Sequence, residues 1–116
     1  MTAEFFKQVL ADTLEATKET LGVKAMEYVR NEDAMHNFNI GSRITGQTRE
    51  QVLYGFALKH HISIADMRED VAKGIVPSVD KINEKYGDAI NYLILEKASM
   101  LERATYRRNR GEDLPL

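Results

Sequence analysis

The sequence predicts an all-α fold, and three observations lead to that prediction. Prolines occur only at positions 77 and 115, which leaves long stretches without a helix breaker. No segment shows the alternation of apolar and polar residues, bounded by turn signals, that is typical of a strand. Apolar residues instead recur at helical spacing. We expect a compact bundle of three long helices and one short helix, in a single domain over 1–108 with a polar tail at 109–116.

The first long helix is expected to begin after Thr2, which is a plausible N-cap. Its apolar positions repeat every three or four residues, and this predicts one face turned towards the core. That face comprises Phe6, Val9, Leu10, Thr13, Leu14, Thr17 and Leu21. Gly22 either ends the helix or weakens it before a helical continuation over 23–30.

A short helix follows, with Asp33 placed to cap it, Phe38 and Ile40 as apolar anchors, and Gly46 to close it. Thr48 and Gln51 form a capping-box pattern that opens the next long helix. The predicted inner row of that helix is Leu53, Phe56, Ala57, His60, Ile64, Met67 and Val71. Gly74 is expected to end it.

The last long helix is expected over 78–107, after Pro77. Its predicted apolar face comprises Ile82, Tyr86, Ala89, Ile90, Leu93 and Ile94. A neighbouring stripe carries Glu84, Asp88, Asn91 and Leu95. Carboxylates four residues apart project side by side, and Mg²⁺ prefers oxygen ligands, so Glu84 and Asp88 are candidate metal ligands. The alternative is that both are solvated and that Asn91 makes an ordinary inter-helix hydrogen bond.

Bulk composition excludes several classes of protein. The net charge of −2 gives no general attraction to nucleic acid or acidic membranes. There is no cysteine, which rules out a disulfide framework and a thiolate zinc site and fits a reducing compartment. The N-terminus carries acids among its apolar residues, unlike a signal peptide, and no apolar run approaches the ~18 residues of a membrane span. We expect a cytoplasmic protein.

Three further segments carry candidate chemistry. Lys59 and His60 would suit a phosphate chain, or they are a salt-bridged lysine and a core histidine. Lys24, Glu27 and Tyr28 share one side of a helix end, and loops next to helix ends often carry binding groups. The alternative is that these three are ordinary surface residues. The arginines within 103–110 are read as a solvated helix end, so nucleic acid is not an expected partner.

The order "K..EY...ED..HNF", "LYGFALKHHISIADM", "EKYGDAINYLILEKA" resembles the small phage and bacterial MazG-like helical proteins, in the neighbourhood of nucleotide modification associated domain 1. The resemblance covers roughly 24–102. It implies an assembly that is dimeric or higher, and Mg²⁺-dependent cleavage of nucleoside triphosphates to a monophosphate and pyrophosphate. The strict ExxE pair that MazG proteins carry on the middle helix is absent here.

The resemblance also implies roles for individual residues. Glu84 and Asp88 match the acids that hold magnesium and act in catalysis, and Glu27 and Asp33 occupy the earlier acidic region of the metal site. The implied substrate-binding residues are Lys59, His60, Lys24, Tyr28 and Asn91. Two alternatives stay open: a helical phage protein that binds nucleotides or another protein without catalysis, and, with less in its favour, a nucleic-acid accessory protein. Apolar residues on more than one side of the helices also favour a homo-oligomer.

Overall fold

A computed structural model of the chain describes residues 1–24 and 33–109, and the side chains of residues 24, 108 and 109 lie outside that description. Helix α1 spans Ala3–Glu19 and is continued by a π-helical segment, Thr20–Lys24. Helix α2 spans His36–Thr45, α3 spans Arg49–Ala72 and α4 spans Val79–Asn109. The predicted all-α class, with three long helices and one short one, is confirmed for this part of the chain. None of its helices is long and apolar enough to cross a membrane.

The predicted caps at Thr2, Thr48 and Gly46 are confirmed. The Thr2 hydroxyl accepts a hydrogen bond from the Phe5 backbone N–H at 3.1 Å. At the start of α3, the Thr48 hydroxyl accepts from the backbone N–H of Gln51 at 3.1 Å, and the Gln51 side chain accepts from the backbone N–H of Thr48 at 2.9 Å. Gly46 ends α2 with a φ of 74°, in the left-handed region that glycine adopts without strain.

Helices α3 and α4 form an antiparallel pair. Arg49, at the start of α3, contacts Ser99 late in α4, whereas His60, halfway along α3, contacts Asp88. Two apolar clusters fill the interface between these helices. One contains Met35, Phe38, Val52 and Leu53 with Tyr92 and Leu95 packed against it, and the other contains Ile64, Met67 and Ala89 with Ile82.

Helix α2 lies across the beginning of α3. Gly41 allows the close approach, because a Cβ at this position would lie 2.9 Å from Cγ1 of Val52. Asp33 lies two residues before the N-cap residue of α2, which is Met35: its Oδ1 accepts from the Met35 backbone N–H at 2.9 Å, and its Oδ2 accepts from Asn39 Nδ2 at 2.9 Å. The predicted capping role of Asp33 is therefore wrong, because its carboxylate binds the N-cap residue itself and the N-cap makes no side-chain cap hydrogen bond.

A buried polar network that the sequence analysis does not predict joins α2, α3 and α4. Arg49 is 8% exposed. Its Nε donates to Ser99 Oγ at 2.7 Å and its Nη2 donates to Glu102 Oε1 at 2.8 Å, while Nη1 lies 3.4 Å from Asn39 Oδ1. Ser99 is fully buried. Because a guanidinium has five donors in a fixed fork, this one side chain sets the register between three helices.

Glu50 completes the network from the next position of α3. It accepts hydrogen bonds from Ser99 Oγ at 2.9 Å and from Arg103 Nε. Burial by itself would raise the pKa of the Glu50 carboxyl, but these hydrogen bonds lower the pKa below its ordinary value. Arg103, one of the arginines at the end of α4, is therefore occupied within the fold.

Three predicted faces differ, wholly or in part, from the structure. In α1 no residue is buried, and Phe5, Phe6, Val9, Leu10 and Leu14 are between 44% and 59% exposed, so the predicted inner face of this helix is wrong for the single chain. The described part of the chain leaves these side chains about half exposed. In α3 the predicted inner row is buried at Leu53, Ala57, His60, Ile64 and Met67, but Phe56 and Val71 are exposed.

The predicted apolar face of α4 is only partly the buried one: Ala89 is buried and Ile82 packs beside it as predicted, whereas Tyr86 is exposed. Leu93 and Ile94 are exposed, whereas Tyr92 and Leu95 pack against the core. The reason lies in long-range partners, because Ser99 binds Arg49 and Asp88 faces His60, and both pairs turn the stripe that contains Asp88 towards α3. This orientation explains why an apolar helix carries Asp88 and Asn91 in its middle.

Candidate functional site

A cavity of about 250 Å³ lies between α2, α3, α4 and the segment that ends α1; we call it the Asp88 cavity. Its apolar wall comprises Leu21, Ala34, Phe38, Phe56, Tyr92 and Leu95. Its polar wall comprises Thr20, Asn37, Asp88 and Asn91. Apolar walls with a few polar groups are typical of small-molecule sites.

Helix α4 supplies the most polar side of this cavity. Asp88, Asn91, Tyr92 and Leu95 follow one another at i, i+3, i+4 and i+7, which places them on one face of a helix. The Asp88 side chain is 40% exposed, and its Oδ2 lies 3.5 Å from Nδ1 of His60. This distance is long for a hydrogen bond. The carboxylate therefore keeps acceptor capacity towards the cavity.

His60 stands behind Asp88 as a buried, stacked side chain. Its ring lies 5.5 Å from the ring of Tyr92, centroid to centroid, at an interplanar angle of 24°. Burial lowers the pKa of His60 below its usual 6.5; Asp88 opposes this shift, and Lys59, Lys85 and His61 add to it. His60 is therefore neutral at pH 7, and it does not neutralise the charge of Asp88.

The lowered pKa of His60 predicts a pH-dependent stability. Because the unfolded state binds this proton more tightly than the folded state, the stabilisation is complete above the unfolded value of 6.5 and decreases as the pH falls from there towards the lower folded-state pKa. Urea unfolding across this window should show the decrease in the wild type and a weaker one in His60→Gln. His61→Gln is the matched control, since the adjacent position points about 100° away on the helix. Equal pH dependence in wild type and His60→Gln would contradict this prediction.

Two buried polar atoms beside the cavity have no hydrogen-bond partner among the described residues. They are Nδ1 of His60 and Oδ1 of Asn91. A buried acceptor or donor without a partner costs about 1–3 kcal/mol, and such atoms concentrate at functional sites. Both lie on the α3–α4 seam that forms the polar side of the Asp88 cavity.

Aromatic rings form the opposite side. Phe38 and Phe56 are in edge-to-face contact, with ring centroids 5.7 Å apart at an interplanar angle of 78°. Phe56 is exposed towards solvent, although the sequence places it in the inner row of α3. Phe56 lines the wall of the cavity, and this position accounts for its exposure. A flat ligand can therefore contact both phenylalanine rings and Tyr92.

The structure brings together only part of the predicted site. Asp88 and Asn91 line the cavity, and His60 lies directly behind Asp88. The Lys59 side chain is exposed, and the residue does not line the cavity in the described part of the chain. Glu27 and Tyr28 lie outside the described residues, as does the side chain of Lys24.

The remaining predicted acids do not meet at the cavity. Glu84 is 64% exposed, and its Oε1 lies 3.5 Å from Nζ of its neighbour Lys85. Both oxygens of Asp33 accept hydrogen bonds at the start of α2. Within residues 1–24 and 33–109 no three His, Cys, Asp or Glu side chains form a group that can hold a metal ion. The described donors therefore do not by themselves fit Mg²⁺, which needs several oxygen ligands.

The sequence analysis did not single out Phe56 and Asn37 as site residues. Asn37 follows the cap of α2 and reads locally as an ordinary polar residue. Phe56 has the helical spacing of a core position, so its apolar character indicates burial rather than a binding surface. Only the packing of α2 across α3 reveals that both face one cavity.

The fold and the cavity define a class: a helical protein whose described residues place one carboxylate, amide groups and aromatic rings around a cavity of about 250 Å³. Comparison with known proteins finds no matching family model, no similar curated protein and no similar solved structure.

Proposed function

We propose that this chain binds a nucleotide, with the base inside the Asp88 cavity and the phosphates outside it. The observation that carries the proposal is the combination of Asp88 and Asn91 with the rings of Phe38, Phe56 and Tyr92 around one cavity. A nucleobase has a π-face for aromatic rings and an edge of donors and acceptors for carboxylate and amide groups.

The size of the cavity supports a base rather than a whole nucleoside triphosphate. Its volume is about 250 Å³, below the roughly 300–1,000 Å³ of sites that enclose a drug-sized ligand. The described wall carries no lysine or arginine to neutralise a polyphosphate. The phosphates are accordingly proposed to lie outside the described wall of the cavity.

Mg²⁺-dependent cleavage to a monophosphate and pyrophosphate is the further activity that the MazG-like resemblance implies, and we propose it as the second property to test. The described residues support binding more strongly than hydrolysis, because Asp88 is the only one of the predicted acids that they place on the cavity. A metal site would need Glu27, which lies outside the described residues. Non-catalytic nucleotide binding is thus the better-supported form of the proposal.

One set of measurements tests both nucleotide binding and hydrolysis. Binding of the common nucleoside triphosphates is measured by titration calorimetry, and pyrophosphate release is measured with and without Mg²⁺. We expect Asp88→Asn to weaken binding at least tenfold, a loss of about 1.4 kcal/mol. Asp80→Asn is the matched control, since it makes the same change at an exposed position of the same helix. Pyrophosphate release that needs both Mg²⁺ and Asp88 would establish the enzyme, and binding without release would establish the non-catalytic form.

Failure to bind any nucleotide would contradict the proposal at both levels. Equal binding by wild type and Asp88→Asn would contradict the placement of the base. Unchanged binding by Asp80→Asn is required in either case, because it shows that a lost carboxylate elsewhere on α4 has no general effect.

The exposed face of α1 favours a second function, association with protein. Its five large apolar side chains are about half exposed, and most of the stability of a helix in a protein comes from the packing of its apolar face. We propose that a second copy of this chain covers this stripe of side chains. A further apolar surface on α4, formed by Leu93, Met100 and Leu101, gives the other copy a surface to pack on. A symmetric dimer would cover both surfaces at once.

A further inference from the structure

The Asp88 cavity has an unusual charge balance. Among the described residues of its wall, Asp88 is the only charged one. Its nearest titratable neighbour, His60, is neutral at pH 7 because burial lowers the pKa of the imidazole. In the described part of the chain, no lysine or arginine forms an ion pair with the Asp88 carboxylate, and His60 Nδ1 lies 3.5 Å from its Oδ2. A ligand edge that faces Asp88 must therefore offer hydrogen-bond donors.

The five common bases differ in how they meet a carboxylate. Guanine presents two adjacent donors, N1–H and the N2 amino group, and these can bind both oxygens of one carboxylate. Uracil and thymine have a single N–H between two carbonyl oxygens, which the carboxylate repels. Adenine and cytosine place an unprotonated ring nitrogen next to their amino group, so one of the two contacts is again repulsive.

Resting on the proposed nucleotide binding, we infer that the base in this cavity is guanine, held through N1–H and the N2 amino group by the carboxylate of Asp88. Asn91, one turn further along the same face of α4, contributes an amide that can donate to the guanine O6. The aromatic rings of Phe38, Phe56 and Tyr92 contact the flat face of the base.

The division of roles follows from the geometry of the wall. Stacking on aromatic rings tolerates every base, because every base has a π-face. Discrimination must therefore come from the polar side of the cavity. A site that places hydrogen-bonding groups against a ligand rejects analogues without the matching group, since its own polar atoms then stay unpaired. On this wall Asp88 is the group that a missing donor would leave unpaired.

The experiment compares 5′-monophosphates, which share one phosphate and differ only in the base. Titration calorimetry of the full chain is carried out with GMP, IMP, AMP, CMP and UMP. IMP is the decisive probe, because it lacks only the N2 amino group of GMP. We expect GMP to bind at least tenfold more tightly than IMP and than each of the other three. In Asp88→Asn the GMP-to-IMP ratio should fall below about threefold, while Asp80→Asn keeps the wild-type ratio.

Each outcome decides the inference. Equal affinity for all five ligands, or a GMP preference that persists in Asp88→Asn, overturns it and leaves nucleotide binding standing. Binding of none of the five overturns the proposed function together with the inference. Tighter binding of choline than of GMP also overturns it, since the carboxylate and aromatic rings would then hold an organic cation. If Asp88→Asn does not fold, the wild-type ratio of GMP to IMP remains decisive by itself.

Discussion

Arg49→Ala is expected to lower the free energy of unfolding by about 3 kcal/mol, measured by urea denaturation. The substitution removes three hydrogen-bonded partners at once and leaves the fully buried Ser99 without its contact to the Nε of Arg49. It also leaves a space where the stem of the arginine packed. The ion pair with Glu102 adds little to this loss, because Glu102 is 69% exposed and water screens the interaction.

Two companion variants separate the network from a general effect of charge. Arg68→Ala removes the same side chain from an exposed position of the same helix and should change the stability by less than about 0.5 kcal/mol. Arg49→Lys keeps the charge but lacks the forked guanidinium group. It should lower the free energy of unfolding by most of the amount that Arg49→Ala does. A loss below about 1 kcal/mol in Arg49→Ala would show that the buried network does not hold the three helices together.

Leu10→Asp is expected to convert a dimer into a monomer. Leu10 lies in the middle of the exposed stripe of α1 and is 50% exposed in the single chain. If a second copy covers the stripe, the aspartate is buried without a partner, which costs several kcal/mol at the interface and weakens association by at least a hundredfold. Sedimentation equilibrium should give a mass near twice the 13.2 kDa of one chain for the wild type, and near one chain for the variant.

The control for this prediction is Ala11→Asp, which adds the same charge one residue further along α1 and about 100° around it. It should leave the dimer intact. A monomeric wild type at the concentrations used for binding would contradict self-association. The apolar stripe of α1 would then be a surface for a different protein partner.

The parts of the fold that depend on neighbouring residues in sequence are predictable from the sequence. Thr2, the Thr48–Gln51 capping box and Gly46 mark helix ends through contacts within a few residues, and all of them occupy the predicted positions. The spacing from Leu53 to Met67 also identifies the buried side of α3. Local chemistry is enough for these features because the partner groups are only a few residues apart.

The incorrectly predicted helix faces depend on contacts between residues far apart in sequence. On α4, two apolar rows compete, and the choice between Leu93–Ile94 and Tyr92–Leu95 is made by Arg49 and His60 on another helix. Arg49 itself reads as a surface residue at a helix start, and nothing in its local sequence indicates that it is buried. On α1 the apolar stripe is real, but the sequence does not say whether the same chain covers it.

The candidate site shows the same division. Helical spacing correctly groups Asp88 with Asn91, and the cavity explains their presence in an apolar helix. The same spacing groups Glu84 with Asp88, yet Glu84 lies beside Lys85 in solvent. One helix can indicate which residues share a stripe, but the neighbouring helices decide how much of the stripe faces a cavity.

Binding of a base at Asp88 is tested most directly by nuclear magnetic resonance, with the labelled chain titrated by each 5′-monophosphate in turn. The account predicts that at least one nucleotide shifts the backbone amide signals of Phe38, Phe56, Asp88, Asn91 and Tyr92 together, in a saturable manner. In Asp88→Asn the shifts should saturate only at a higher nucleotide concentration, and in Asp80→Asn they should saturate as in the wild type. Signals that do not move with any nucleotide, or that move only at the arginine-rich end of α4, would contradict the account.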